Sequence, residues 1–287
     1  MTTKRLGTLV QDIYSLFEKG HSPTEENLDI FASKCRDLVK HSLESTGKVR
    51  DVHIRMSNLG TPDRKLYYTI KAGSSKETRI SEFKPSDLIK FVYGHLVEEL
   101  LLLLVKEAGH SVTNEQEEIS IDGVLGHRDC KIDGVPIDVK SASRFSFQKF
   151  SNGSLVTNDP FGYIAQISGY VQADNDKDGG FLAINKESGE IALLLIDPID
   201  MIDIPKRIKT VREFLSKDTP PDKCYPDEPY GASGNRGLNK NCAMCPFKKS
   251  CWSDANNGTG LRAFQYSTYV DYLTTVAKTP SVSEVSV

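Results

Sequence analysis

Residues 124–140 read VLGHRDCKIDGVPIDVK, with Asp133-Gly134 standing between two strand-like runs. Asp-Gly in that position is the strongest short hairpin signal, because a two-residue type I′ turn needs positive φ at both central residues. The turn fixes the register: Ile132 faces Val135, Cys130 faces Ile137, and Asp129 faces Asp138. Directly opposed β-carbons lie ~4.5–5.5 Å apart, where like charges are destabilising. A chain that places two acids there must expose both to water or compensate them with a cation. Lys140, two residues beyond Asp138, projects from the same face, and Cys130, Ile137 and Val139 occupy the other. Two carboxylates suit Mg²⁺ or Mn²⁺, and a nearby lysine can orient or deprotonate a water on such an ion. The plainer alternative is an exposed hairpin with a surface ion pair between Asp138 and Lys140.

Around this hairpin the chain reads as an α/β layer architecture, with a sheet covered by helices. Apolar spacing near 3.6 predicts helices over 5–19 and 24–44, and Leu66–Ile70 reads as a short strand. Pro85 opens a strong helix, with Ser81, Ser86 and Asp87 as candidate caps, that runs to about Ala108 and stops at Gly109. Strands are predicted over His110–Ile121, Val124–Ile132 and Val135–Ser141, a helix over Pro160–Ala173, strands over Gly180–Asn185 and Glu190–Ile196, and helix over 198–216. After Pro220 the composition shifts to Pro, Gly, Asn and Cys. The expected organisation is an N-terminal helical region with a short strand (1–84), a core (85–218), a cysteine module (219–260), and a C-terminal helix with a frayed tail (261–287).

Six cysteines are unevenly placed: Cys35 and Cys130 stand alone and read as core residues, whereas Cys224, Cys242, Cys245 and Cys251 crowd into 28 positions. In a reducing compartment this favours a metal or iron–sulfur site over disulfides. Cys242, Cys245 and Cys251 form C-x2-C-x5-C, with Cys224 the nearest candidate for a fourth ligand. Four thiolates can hold tetrahedral zinc or a four-iron–four-sulfur cluster.

The order G-x-x-D, turn, D-x-K, carried by Gly126, Asp129, Asp138, Val139 and Lys140, resembles the core of the PD-(D/E)XK nuclease superfamily. The resemblance implies a restriction-endonuclease-like mixed sheet flanked by helices and a metal ligand on the preceding helix. Gly94-His95-Leu96-Val97-Glu98-Glu99 supplies Glu98 there, with His95 and Glu99 as competitors. Gln166 and Tyr170 reproduce the Q-x-x-x-Y signature of the RecB-like branch. Their i, i+4 spacing puts amide and hydroxyl on one helix face, able to bind a phosphate or to hold the catalytic lysine and substrate strand. RecB-like and CRISPR-associated exonucleases are similar in carrying a C-terminal C-x2-C-x5-C, which in them binds an iron–sulfur cluster. In these relatives the fourth cysteine often lies far upstream. Residues 60–68 are similar to that upstream segment but place Asp63 near where its cysteine would stand, so Cys224 is the preferred fourth ligand.

With 36 basic and 39 acidic side chains, a net charge of −3, 38% apolar and 26% charged residues, the composition excludes a mostly disordered chain and a global basic field. DNA, the partner the resemblance implies, must then meet a local patch. Arg144 is the candidate phosphate contact closest to the hairpin, with Lys149, Arg50, Arg55, Arg64, Lys65 and the Phe247, Lys248, Lys249, Trp252 group as others. The longest apolar run, Leu100–Val105, is far short of the ~20 residues a membrane span needs. An amphipathic N-terminus without a signal core points to the cytoplasm, that of a bacterial host if the chain is phage-encoded.

The implied activity is metal-dependent DNA exonuclease chemistry, with Lys140, Asp138, Asp129 and Glu98 catalytic. Glu98, Asp129, Asp138 and the Val139 carbonyl would be ligands to Mg²⁺ or Mn²⁺, and Gln166, Tyr170 and Arg144 would meet substrate. Recombination or replication proteins are conceivable partners. The rival readings are a non-catalytic DNA-binding factor on the same fold, a restriction-like endonuclease, and a zinc-stapled interaction domain.

Overall fold

A computed structural model describes residues 5–44, 52–73 and 84–287; Ser81 and Arg50 lie outside them. The chain forms two compact units, Met1–Gly60 with Glu82–Thr210, and Thr61–Ser81 with Val211–Val287.

The first unit opens with α1 (Leu9–Lys19) and α2 (Glu25–Glu44), both as predicted from apolar spacing. A short 3-10 turn over Met56–Asn58 follows. After α3 (Asp63–Gly73), which belongs to the second unit, comes α4 (Pro85–Glu107). Helix α4 starts at the predicted proline and ends before Gly109, whose φ of 80° continues no helix.

The predicted strand over 110–121 divides into β1 (Val112–Thr113) and β2 (Glu117–Ile121), and that over 124–132 into β3 (Val124–Arg128) and β4 (Cys130–Ile132). After β5 (Val135–Ala142) come α5 (Arg144–Ser151), α6 (Tyr163–Ala173), β6 (Gly180–Asn185) and β7 (Ile191–Leu195). Helix α7 (Ile204–Leu215) contains the unit boundary.

Strands β1-β4-β5-β6-β7 make a mixed sheet in which only the β5–β6 pair, among those described, is parallel. A parallel pair needs a crossover, and α5 and α6 provide it. Strands β2 and β3 form a separate two-stranded sheet. Every residue of β6 is buried, as befits a strand covered on both faces. On one face Leu9 and Ile13 of α1 and Leu101, Leu102 and Val105 of α4 pack on Cys130, Ile137, Val139, Leu182 and Ile184. The other face carries Asp138, Lys140 and Phe181 toward α5 and α6, where Phe150 lies edge-on to Phe181. No helix among the described residues is long and apolar enough to cross a membrane.

The second unit corrects three expectations. Leu66–Ile70 lies inside helix α3, not in a strand: Pro62 accepts the Leu66 N–H, and the Tyr67 hydroxyl, reaching the carbonyls of Lys217 and Asp218, fixes the helix by contacts remote in sequence. Residues 261–287 form strands rather than a helix. Strands β8 (Glu228–Tyr230), β9 (Asn235–Gly237), β10 (Arg262–Gln265), β11 (Val270–Thr275) and β12 (Ser283–Val285) order as β12-β10-β11-β9-β8, all antiparallel. The tail is therefore not frayed, since β12 pairs with β10 and Arg262 forms a two-pronged ion pair with Glu284. Between β9 and β10 lie the short helices α8 (Lys240–Ala243), α9 (Lys248–Cys251) and α10 (Ala255–Gly258).

Candidate active site and thiol pocket

The hairpin forms as its sequence dictates. Asp133 and Gly134 have φ of 50° and 85°, and Cys130 pairs with Ile137 and Ile132 with Val135. The ladder stops there, however, and Asp129 is not a ladder partner of Asp138. Asp129 occupies the joint where the chain leaves the β2–β3 sheet for the central one; its carbonyl accepts the Gln116 N–H at 3.0 Å. Its neighbour Arg128 anchors the departure, fully buried and paired with Glu117 and with Asp174, the latter at 2.6 Å. The Asp129 carboxylate turns to β5 and accepts the Val139 N–H at 2.9 Å.

Asp138 is fully buried, forms an ion pair with Lys140, and has no aligned hydrogen bond on either carboxylate oxygen. The pair is therefore interior, not the surface contact of the plainer reading. Burial pushes the Asp129 carboxyl up to about 7, and the Asp138 charge adds to the rise. Burial likewise raises Asp138 against the pull of Lys140. Burial alone would lower the Lys140 ammonium, but the facing Asp138 and Asp129 carboxylates hold it above its ordinary value. Lys140 thus stays charged at neutral pH.

Helix α4 separates the three candidates at its site end. Glu99 turns to α2 and pairs with Lys34 at 3.3 Å. Glu98 instead adds its charge to both Asp129 and Asp138, and its Oε2 lies 3.1 Å from Nδ1 of His95. That hydrogen bond raises the imidazole's pKa. Gly94 lets this stretch run close to β5: a β-carbon there would stand 3.0 Å from Oγ of Ser141.

The glycine of G-x-x-D has a similar reason. A β-carbon on Gly126 would lie 2.6 Å from Cγ of Met56, which is fully buried and also packs its sulfur against Gly169 of α6. The signature pair on α6 forms a relay: Gln166 Nε2 donates to the Tyr170 hydroxyl, which donates to the His127 carbonyl, both at 2.7 Å. Tyr170 is 1% exposed, so its hydroxyl steadies β3 two residues before Asp129 rather than meeting a substrate. Arg144 is exposed at the start of α5, its backbone N–H bound to Glu187.

Lys149 is not available to a phosphate: it is buried and donates to the carbonyl and side-chain oxygens of Asn158. Tyr163 was missed in the sequence, yet its ring centre lies 5.2 Å from Nζ of Lys140. The signal available was an aromatic pair flanking Gly162 just ahead of Gln166.

The second cluster lies within the other unit. Cys224, Cys242, Cys245 and Cys251 line one small cavity of about 40 Å³, with Pro62, Tyr68, Phe247 and Trp252. Burial pushes the Cys242 thiol up to about 11, with the neighbouring Cys251, Cys245 and Cys224 adding to the rise, and burial raises Cys251 too. Arg64 donates to the carbonyls of Pro221 and Cys251, so it braces this pocket. Lys65 and Lys248 line the pocket. Of the two solitary cysteines, Cys130 is buried as expected, whereas Cys35 is only half-buried on amphipathic α2.

Among the described residues no group of three or more His, Cys, Asp or Glu side chains is gathered tightly enough to enclose a metal ion. A buried Asp138 carboxylate without aligned hydrogen bonds, beside a second carboxylate raised to about 7, is an arrangement a hard divalent cation would satisfy. The four cysteines that line one cavity have the donor chemistry of a thiolate-bound metal group, but they do not converge on one point as a bound metal would require.

No family model matches the chain, and no curated protein matches it. Solved structures with a similar course include an alkaline exonuclease, LHK-Exo, from Laribacter hongkongensis, 14% identical over 57% of this chain and 87% of that one, TM-score 0.40. A phage-related exonuclease from Haemophilus somnus is 15% identical over 58% and 92%, TM-score 0.40. The protein SSO0001 is 17% identical over 73% and 91%, TM-score 0.39.

Proposed function

We propose that the chain is a metal-dependent deoxyribonuclease of the PD-(D/E)XK type, in the RecB-like exonuclease branch, serving phage DNA degradation, recombination or replication. The observation that carries this is the buried meeting of Asp129, Asp138 and Lys140, with Glu98 adding its charge from α4. An interior carboxylate pair costs stability, and raised carboxyl groups of this kind cluster at functional sites.

Asp129, Asp138, Glu98 and the Val139 carbonyl would hold Mg²⁺ or Mn²⁺. Bound there, the ion would polarise a phosphate and lower the pKa of a water. Lys140, held charged by Asp138, donates a hydrogen bond to the attacking water or to a phosphate oxygen, favouring the charge that builds during in-line displacement. It acts as a donor, since its proton is held tightly. The displaced group is a 3′-oxygen, leaving a 5′-phosphate. The Gln166–Tyr170–His127 relay holds the strand that delivers Asp129. Arg144, exposed at the start of α5, would meet the substrate backbone.

The thiol pocket is proposed to bind a four-iron–four-sulfur cluster, with zinc the alternative, as a staple for its own unit. Absorbance near 400 nm in anaerobically purified protein supports the cluster, and stoichiometric zinc without it rejects the cluster.

The test of function is digestion of end-labelled linear and closed circular DNA with Mg²⁺, with Mn²⁺ and with chelator. Loss of linear substrate alone, abolished by chelator, is expected. Cutting of the circle would make it an endonuclease, and binding without cleavage under any metal would make it a DNA-binding factor.

A further inference from the structure

Phe161, on the turn leading into α6, is 57% exposed and stacks on Tyr163 with ring centres 5.4 Å apart and planes inclined by 27°. Tyr163 in turn lies 5.2 Å from the Lys140 ammonium, and behind it stand Phe150 at 6.1 Å and Phe181 at 6.2 Å. A row of rings thus runs from the core, past the reactive lysine, to an aromatic face open to water.

The turn that presents Phe161 is held from several sides. The Asp159 carboxylate accepts the Gly162 and Ile164 N–H groups at 2.9 and 2.8 Å. Buried Lys149 binds Asn158 through two oxygens. Gly162, at φ 81°, packs backbone to backbone on Gly60, where a β-carbon would stand 2.4 Å from the neighbouring carbonyl carbon. A large ring fixed in place yet left open to water loses little freedom when a flat partner covers it.

We infer that Phe161, backed by Tyr163, stacks on an unpaired nucleobase of the substrate strand and so sets the phosphate beside Lys140. This rests on the deoxyribonuclease reading. Stacking of this kind tolerates any base, because every base offers a π face. It selects single-stranded ends over paired ones, since a base inside a duplex has both faces covered.

The experiment compares wild type, Phe161→Leu and Phe161→Trp on single-stranded DNA carrying 2-aminopurine near the cleaved end. Fluorescence is followed with Ca²⁺ in place of Mg²⁺, and cleavage is followed with Mg²⁺. Wild type is expected to quench the fluorophore. Phe161→Leu should lose the quenching and raise KM on the order of 10-fold, with a smaller change in kcat, and Phe161→Trp should restore both. Wild-type quenching and KM in Phe161→Leu would overturn the inference, as would equal losses in both variants at unchanged thermal stability. Failure of wild type to cleave any DNA would instead overturn the reading beneath it.

Discussion

The carboxylates of the first unit are delivered by regular structure, whereas the thiols of the second are delivered by turns and four-residue helices. Asp138 and Lys140 alternate along β5, Asp129 is locked by the Val139 N–H, and Glu98 rides on a 23-residue helix. The fold therefore holds its like charges together with a cation of its own, Lys140. Around the thiols, α8 and α9 span one turn each, and among the described residues the buried apolar cluster beside them holds Trp252, Ala255 and Leu261, with Tyr68 stacked on Phe247. The first arrangement carries its own counter-charge. The second is built from short turns, and the proposed bound group would add to its stability.

That contrast can be broken by experiment. Cys242→Ser or Cys251→Ser should remove bound metal and lower the melting temperature on the order of 10 °C, with faster hydrogen exchange in β9 and β11. An unchanged melting curve would show that the thiol pocket is as self-sufficient as the carboxylate site. A smaller effect tests the packing that delivers Asp129. Gly126→Ala should cost about 1–3 kcal/mol in denaturant unfolding, because its methyl meets Met56. Combined with Met56→Ala, the two changes should cost less than their sum.

Smallest is the electrostatic effect. Asp129 has a folded pKa of about 7, above its ordinary value, so its contribution is fully present below the unfolded pKa and lost as pH rises through about 7. In chelator, wild type should therefore lose stability between about pH 4 and 7 and level off above that. Asp129→Asn, whose side-chain oxygen can still accept the Val139 N–H, should match wild type near pH 4, gain on it steadily as pH rises to 7, and keep a constant lead above pH 7. A pH-independent difference would contradict the buried carboxylate pair.

The sequence made the hairpin legible because Asp-Gly admits few backbone solutions, and its register followed down to Cys130 and Ile137. It did not reveal that Asp129 lies off the ladder, since that depends on Arg128 reaching Glu117 and Asp174. Helix α5 was passed over although Ser143 caps it through the Ser146 N–H, because the cap signal stood without a clear apolar period. Leu66–Ile70, rich in aromatic and β-branched residues, suggested a strand, and contacts 150 residues away made it helical. The C-terminal strands escaped because three- to six-residue strands at irregular spacing carry little periodicity. Among candidate ligands, spacing could not choose between Glu98 and Glu99. In the structure Glu99 pairs with Lys34 on α2, a contact that spacing does not show.

The central claim is that the buried Asp129–Asp138–Lys140 meeting point cleaves phosphodiester bonds. Single-turnover cleavage of end-labelled linear DNA in Mg²⁺ by wild type, Lys140→Ala and Asp138→Ala tests it most directly. The account expects rates reduced by about 10²–10⁴-fold in both variants, with DNA binding still measurable. Digestion at the wild-type rate by either variant would contradict it.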